Sequence, residues 1–251
     1  MNIKVSRVYR GEIFPQKDIK LEYEHTNKNR PAWIFIKELP EDIFIISTRV
    51  NNTMHHYKKY LSTKIPLFLP TDYTPDEMRR FYNKFSEIYD DHIAKYNIPA
   101  ARFLLSKLNI KKSVTILDVG GGTGLSSIPF VKAGYKNITL LEYSSKMLSI
   151  AKKKKELKKC NFICQDIRKL SLKGDFDVII SVFSFGLHSY FNEKEMHILW
   201  KILHRRLKQK GILALIGHEY PPPKILFKRL DGGSIKILKG YNADWFIGIK
   251  S

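Results

Sequence analysis

The stretch "SVTILDVGGGTGLSSIPF", Ser113 to Phe130, limits what this chain can fold into more than any other. Its first half is β-branched and apolar and reads as a buried strand. The strand ends in Asp118, and four glycines follow closely: Gly120, Gly121, Gly122 and Gly124. A helical pattern opens directly after them. So many glycines at a strand-to-helix junction are a costly way to make a turn, because each adds conformational entropy to the unfolded chain. They point instead to a ligand lying against bare backbone. The spacing narrows its nature. A phosphate-gripping loop needs a lysine after its last glycine, and none follows Gly124. A dinucleotide turn needs a third glycine where Leu125 stands. What remains is D-x-G-x-G-x-G.

Around this turn strands and helices alternate. "NITLLEY", "CNFICQD", "FDVIISVFS" and "GILALIGHE" read as strands. "GLSSIPFVKAG", "SSKMLSIAKKKKELKK" and "EKEMHILWKILHRRLKQK" read as helices, the last closing at Gly211. "SIKILKG" and "ADWFIGIK" close the chain as two more strands. Upstream, "TPDEMRRFYNKFSEIYDDHIAKY" opens with Thr74 as N-cap and Pro75 at the first helical position. A second helix, "PAARFLLSKLNI", is expected from Pro99. Such alternation predicts an α/β fold, a doubly wound parallel sheet with helices on both faces. Ligands of these sheets sit beyond the carboxyl ends of the strands.

Residues 1–70 differ in texture. "IKLEYEH" alternates as a half-buried strand, and "AWIFIKEL" and "DIFIISTRV" are strand-like. "TMHHYKKYLST" suggests a short helix. Pro66 and Pro70 then mark a linker. The expected organisation is a small β-rich N-terminal domain or lid, residues 1–70, and a ligand-binding α/β domain, residues 71–251.

The 251 residues include only two cysteines, which excludes a disulfide scaffold and fits a reduced compartment. No metal site is expected. No signal peptide and no run of about 18 apolar residues is visible, so no membrane span is expected, and the cytoplasm is the simplest location. Of the net charge of +20, residues 76–251 carry +16. That field could draw in a polyanion. The lysine runs, however, fall at helix C-termini, where they suit the helix dipole and face away from the expected ligand edge.

"LDVGGGTG" resembles the first motif of class I S-adenosylmethionine-dependent methyltransferases, and the likeness extends over residues 76–220. It implies a Rossmann-like sheet and S-adenosyl-L-methionine as cofactor. By this resemblance Asp118, Gly120, Gly122 and Gly124 form the donor turn. Glu142, at the end of the second strand, takes the ribose hydroxyls. Asp166 meets the adenine amino group, the Ile167 N–H meets a ring nitrogen, and Met147 packs on the base. Ser181 opens the segment "SVFS", which resembles the fourth motif beside the reacting methyl.

The resemblance is nearest to the enzymes that act on small molecules, the quinone-biosynthesis type among them. Methyl transfer needs a base only if the acceptor must lose a proton. His188 is the candidate for that role, its charge being tunable near neutral pH. Phe183, Phe185, Tyr190 and His218, with Glu219, are candidates to line the acceptor pocket. Relatives close a tyrosine over the donor, and Tyr89, or Tyr82, matches that position. A small-molecule acceptor is the leading expectation, and RNA, such as a tRNA base, is the alternative. Amino methylation of bases in nucleic acids usually goes with [DN]-P-P-[YF] after the fourth strand, and this chain reads "SVFS" there.

Overall fold

A computed structural model of the chain describes the backbone of residues 2–9, 12–23, 34–36, 44–50, 53–59, 75–170, 174–185, 191, 193–218, 221–238 and 241–251, with side chains only within residues 75–251. It divides into two compact units, Met1–Phe85 and Ser86–Ser251.

The first unit holds a five-stranded sheet of β1 (Asn2–Tyr9), β2 (Glu12–Tyr23), β3 (Ile34–Ile36), β4 (Phe44–Val50) and β5 (Thr53–Lys59), in the order β3-β2-β1-β4-β5. Every pairing is antiparallel. The β5 segment, "TMHHYKK", is therefore a strand and not the short helix its sequence suggests. Val50 pairs with Thr53 and Arg49 with Met54, so only two asparagines separate the strands. Asn-Asn suits a tight hairpin, and pairing with β4 overrides the weak helical preference of so short a segment.

From Pro75 to Lys107 the chain is one helix, α1, with Pro99 inside it. The expected break at Pro99 does not occur. Proline removes one backbone hydrogen bond and ordinarily kinks or ends a helix. Here Ala100, Ala101 and Leu104 follow at once and are fully buried in the core, which compensates for the lost bond.

The second unit is built on a seven-stranded sheet. Its strands are β6 (Thr115–Val119), β7 (Asn137–Glu142), β8 (Asn161–Cys164), β9 (Phe176–Phe185), β10 (Leu207–His218), β11 (Phe227–Leu238) and β12 (Tyr241–Lys250). The order is β11-β12-β10-β9-β6-β7-β8. The pairs from β8 to β10 are parallel, and β12 runs antiparallel to both of its neighbours. Strand order reverses between β6 and β9, which makes the carboxyl end of β6 the switch point, the place where sheets of this kind bind their ligands.

Neighbouring residues of each central strand enter opposite cores. Ile116, Leu140, Ile180, Ala214 and Ile247 face α1, α2 (Ser127–Lys132) and α3 (Ser145–Lys153). Leu117, Leu141, Ile179, Leu215 and Phe246 face α4 (Glu193–Arg206). This two-sided burial is why the strands read as continuous apolar runs. Helix α4 ends at Arg206, earlier than Gly211. Leu207 is fully buried and pairs with Phe176 of β9, and Lys208 bonds Asp177, so the sheet captures the chain from Leu207 on.

A bulge interrupts β9 and β10 near their carboxyl ends. Val182 pairs with Ile216 and Phe185 with His218, so Phe183 and Ser184 together oppose Gly217. Phe183 sits at φ 61, a strained value for a bulky residue. A side chain at Gly217 would overlap its ring. The bulge turns Ser184 toward the glycine turn, where its hydroxyl donates to the Gly120 carbonyl at 3.2 Å.

Trp200 anchors α4, with its ring centroid 5.4 Å from that of Phe185. It is almost fully buried. Trp200→Ala is expected to lower unfolding stability by about 3–5 kcal/mol, read as a drop in the urea midpoint with an unchanged slope.

Candidate active site

The site forms where β6, β7 and β8 end. Gly120 and Gly121 donate their N–H groups to the Leu141 carbonyl at 2.8 and 3.1 Å, which folds the turn back over the end of β7. Gly120 has φ 67, and any side chain there would overlap the Ser184 hydroxyl. Gly124 has φ 84, and a side chain there would overlap Leu157. These two glycines are thus required by packing below the turn. Gly122 differs. It too has left-handed backbone, at φ 54, but a Cβ built on it would overlap nothing: its nearest neighbours are Met147 Cε at 3.6 Å and the Tyr89 ring and hydroxyl at 3.9 Å. Gly122, Met147 and Tyr89 therefore line one cradle.

Glu142 organises this cradle. One carboxylate oxygen accepts the Gly122 N–H at 3.0 Å, and the other accepts the Ser144 N–H at 2.7 Å. Ser144 in turn caps α3, its hydroxyl accepting the Met147 N–H at 3.1 Å. Burial pushes the Glu142 carboxyl above its ordinary pKa, and the backbone N–H groups oppose that shift.

Asp118 is fully buried under the turn. One of its oxygens accepts from both Ser126 and Ser127 hydroxyls at 2.6 Å. The other has no hydrogen-bond partner among the described residues. Burial raises its pKa to about 6, the two serines pulling the other way. Asp118 therefore orders the turn from beneath.

Asp166, at the end of β8, caps a single helical turn and is gripped by Arg168. The guanidinium donates to both carboxylate oxygens at 2.8–3.1 Å. Arg168 also stacks over Phe191 and reaches Glu195 of α4 at 3.6 Å. Ile167, the next residue, is buried. The Arg168 backbone N–H donates to Asp166 as well.

The remaining sequence candidates are scattered. Ser181 is buried on β9, its hydroxyl without a partner among the described residues. Phe183 packs at the edge of the core shared with α1, whereas Phe185 is buried against Trp200 and Phe191 on the α4 side. His218 is the last residue of β10. His188, Tyr190 and Glu219 lie outside the described residues. Burial raises the Cys160 thiol to about 11, which makes it a poor nucleophile. Among the described residues no cluster of three or more His, Cys, Asp or Glu could hold a metal, and no helix is long and apolar enough to cross a membrane.

Sequence reasoning missed Arg168, the two serines under the turn and three further residues, Asp90, Thr123 and Lys154. The Thr123 hydroxyl bonds Asp90 of α1, and Lys154 bridges both. The serines had a signal, two hydroxyls directly after the turn. The others are brought in only by tertiary folding.

A doubly wound sheet with an antiparallel β12, a glycine turn at its switch point and an acid closing the next strand defines a Rossmann-like methyltransferase fold. Residues 116–211 match the sequence model of the family described as "Methyltransferase domain". Malonyl-[acyl-carrier protein] O-methyltransferase of Priestia megaterium is 31% identical over 140 residues, covering 54% of this chain and 49% of that protein. The chloroplastic 2-methyl-6-phytyl-1,4-hydroquinone methyltransferase of Spinacia oleracea is 35% identical over 112 residues, 44% of this chain and 31% of that one. The matches thus span half or less of these curated relatives. The crystal structure of magnesium protoporphyrin IX methyltransferase from Synechocystis PCC 6803 with bound SAM shares the fold. Its TM-score is 0.55 at 18% identity, over 70% of this chain and 96% of that one.

The raised acids make stability depend on pH in a definite sense. The fold binds the Asp118 proton more tightly than the unfolded chain does. Stability is therefore lowest above pH 6 and rises as pH falls from about 6 toward 4, by up to about 3 kcal/mol from Asp118. Glu142 acts in the same direction. In urea melts at pH 7.5 and 5, Asp118→Asn should reduce this rise by the Asp118 share and leave the Glu142 share in place.

Proposed function

We propose that the protein transfers a methyl group from S-adenosylmethionine to a small-molecule acceptor by direct displacement. The observation that carries this reading is the clamp of Glu142 on the glycine turn. It sets a buried carboxylate beside a cradle of bare backbone, Met147 and Tyr89. The set fits the donor. It offers acids and open backbone for a cationic, phosphate-free ligand, and apolar surface for a base. When bound, the donor supplies an electrophilic methyl on a sulfonium.

The chain's own residues then hold and orient. Glu142 accepts the ribose hydroxyls while its backbone bonds hold it in place. Gly120, Gly122 and Gly124 let the amino-acid end approach the turn, and the Asp118 charge beneath favours a cation there. Met147 packs on the base. The Ile167 N–H and Asp166, the latter fixed by Arg168, read its edge. Tyr89 closes the other side of the cradle. Alignment of this kind can contribute about 7–11 kcal/mol without any base. His188 is assigned the proton if the acceptor carries one. Ser181, Phe183, Phe185, Tyr190 and His218 are assigned to the acceptor side, where the bulge of β9 ends.

The acceptors named for the relatives, a malonyl acyl carrier protein and a hydroquinone, support a small or carrier-bound acceptor over RNA. Two free thiols support a reduced, cytoplasmic setting.

S-adenosylhomocysteine at about 100 times its Kd should stabilise the protein by about 2.7 kcal/mol, and Glu142→Ala should abolish the effect. With methyl-labelled S-adenosylmethionine and a cell extract, label is expected in the soluble or solvent-extractable fraction. Acid-precipitable label released by ribonuclease would overturn the small-molecule reading.

A further inference from the structure

Lys154 differs from the lysines around it. Lys152, Lys153 and Lys155 are exposed, as the helix-end run suggests. The Lys154 side chain is only 16% exposed. Its Nζ donates to the Thr123 carbonyl, inside the glycine turn, at 2.7 Å, and lies 2.6 Å from one oxygen of Asp90. The other Asp90 oxygen accepts the hydroxyl of Thr123, which is fully buried. Three elements thus meet in one closed network: α1 through Asp90, the turn after β6 through Thr123, and the end of α3 through Lys154.

Asp90 is the chain neighbour of Tyr89, whose phenol oxygen accepts from Asn97 at 3.4 Å and whose ring borders the Gly122 cradle. Whatever fixes Asp90 fixes that wall. The network also solves an electrostatic problem. A lysine bound to the turn would repel a cationic ligand lying on it. Asp90 neutralises that charge on the spot.

Resting on the reading of this cradle as the donor site, we propose that Lys154 and Asp90 are positioning residues. They clasp α1 to the glycine turn and balance the charge that the donor meets. Neither touches the donor. Lys154 acts through Thr123, and Asp90 through Tyr89.

The test exploits a difference between two probes of almost the same shape, S-adenosylmethionine, a sulfonium, and S-adenosylhomocysteine, a neutral thioether. Calorimetry at low salt measures both Kd values for the full-length protein and for K154M, K154R, D90N and E142A. Loosening the clasp should weaken S-adenosylhomocysteine binding about tenfold in K154M, with recovery in K154R. The preference between probes should move in opposite senses. D90N leaves a bare lysine and should disfavour the sulfonium by about threefold relative to the thioether. K154M leaves a bare carboxylate and should favour it by a similar factor. A general loss of packing would not shift the ratio in two directions.

If K154M and D90N bind both probes as the parent does while E142A does not, the clasp is overturned and the donor site stands. If K154M and K154R are equally weak and melt equally low, the loss is one of folding and the clasp is again overturned. If the parent binds neither probe, the donor-site reading fails and takes the clasp with it.

Discussion

The carboxylate of Glu142 joins pieces that would otherwise be independent. It ends β7, holds the turn after β6 through the Gly122 N–H, and holds the start of α3 through the Ser144 N–H. Backbone donors at such junctions have no partner within their own helix or strand. Bonds from backbone N–H to an ionised carboxylate are about twice as strong as neutral ones. Gln165 adds a further tie, donating its N–H to the Glu142 carbonyl at 3.1 Å, so β8 is drawn to the same residue. The position of Met147 depends on Ser144, and the shape of the cradle depends on both.

That arrangement holds two acids close to one sheet edge. Burial disfavours the charge on each, and Asp118 further raises Glu142. The strain is partitioned by hydrogen bonding. Glu142 is met by N–H groups that reward ionisation. Asp118 has two hydroxyls on one oxygen and none on the other, which leaves it close to the balance point. The edge is thus electronegative without carrying two fully committed charges, a condition that suits a cationic ligand.

What could be read from the sequence was whatever is local. A strand buried on both faces writes itself as an apolar run, and a left-handed turn writes itself as glycine. Strand-end acids such as Asp118, Glu142 and Asp166 stand out because they close such runs. Ends decided by distant partners did not stand out. Helix α1 passes through Pro99 because its far side packs on the sheet. Helix α4 stops at Arg206 because β9 takes the next residue. The β5 segment is a strand because β4 lies beside it. For the same reason Lys154 looked like one more solvated lysine. Its partners Thr123 and Asp90 are 31 and 64 residues away, and only the folded sheet brings the three together. Arg168 was nearer to hand, two residues from Asp166, but nothing local says that its fork turns back.

The bulge opposite Gly217 has a consequence for how this edge of the sheet can change over time. The ring of Phe183 fills the space that a side chain at 217 would need, and both residues hold left-handed backbone. A residue larger than glycine at 217 demands a smaller one at 183, and a change at 183 that releases the strained backbone withdraws Ser184 from Gly120. A substitution at one of these positions therefore strains the others. Positions 183, 184 and 217 are packed as one unit, and Gly120 joins it from the turn after β6.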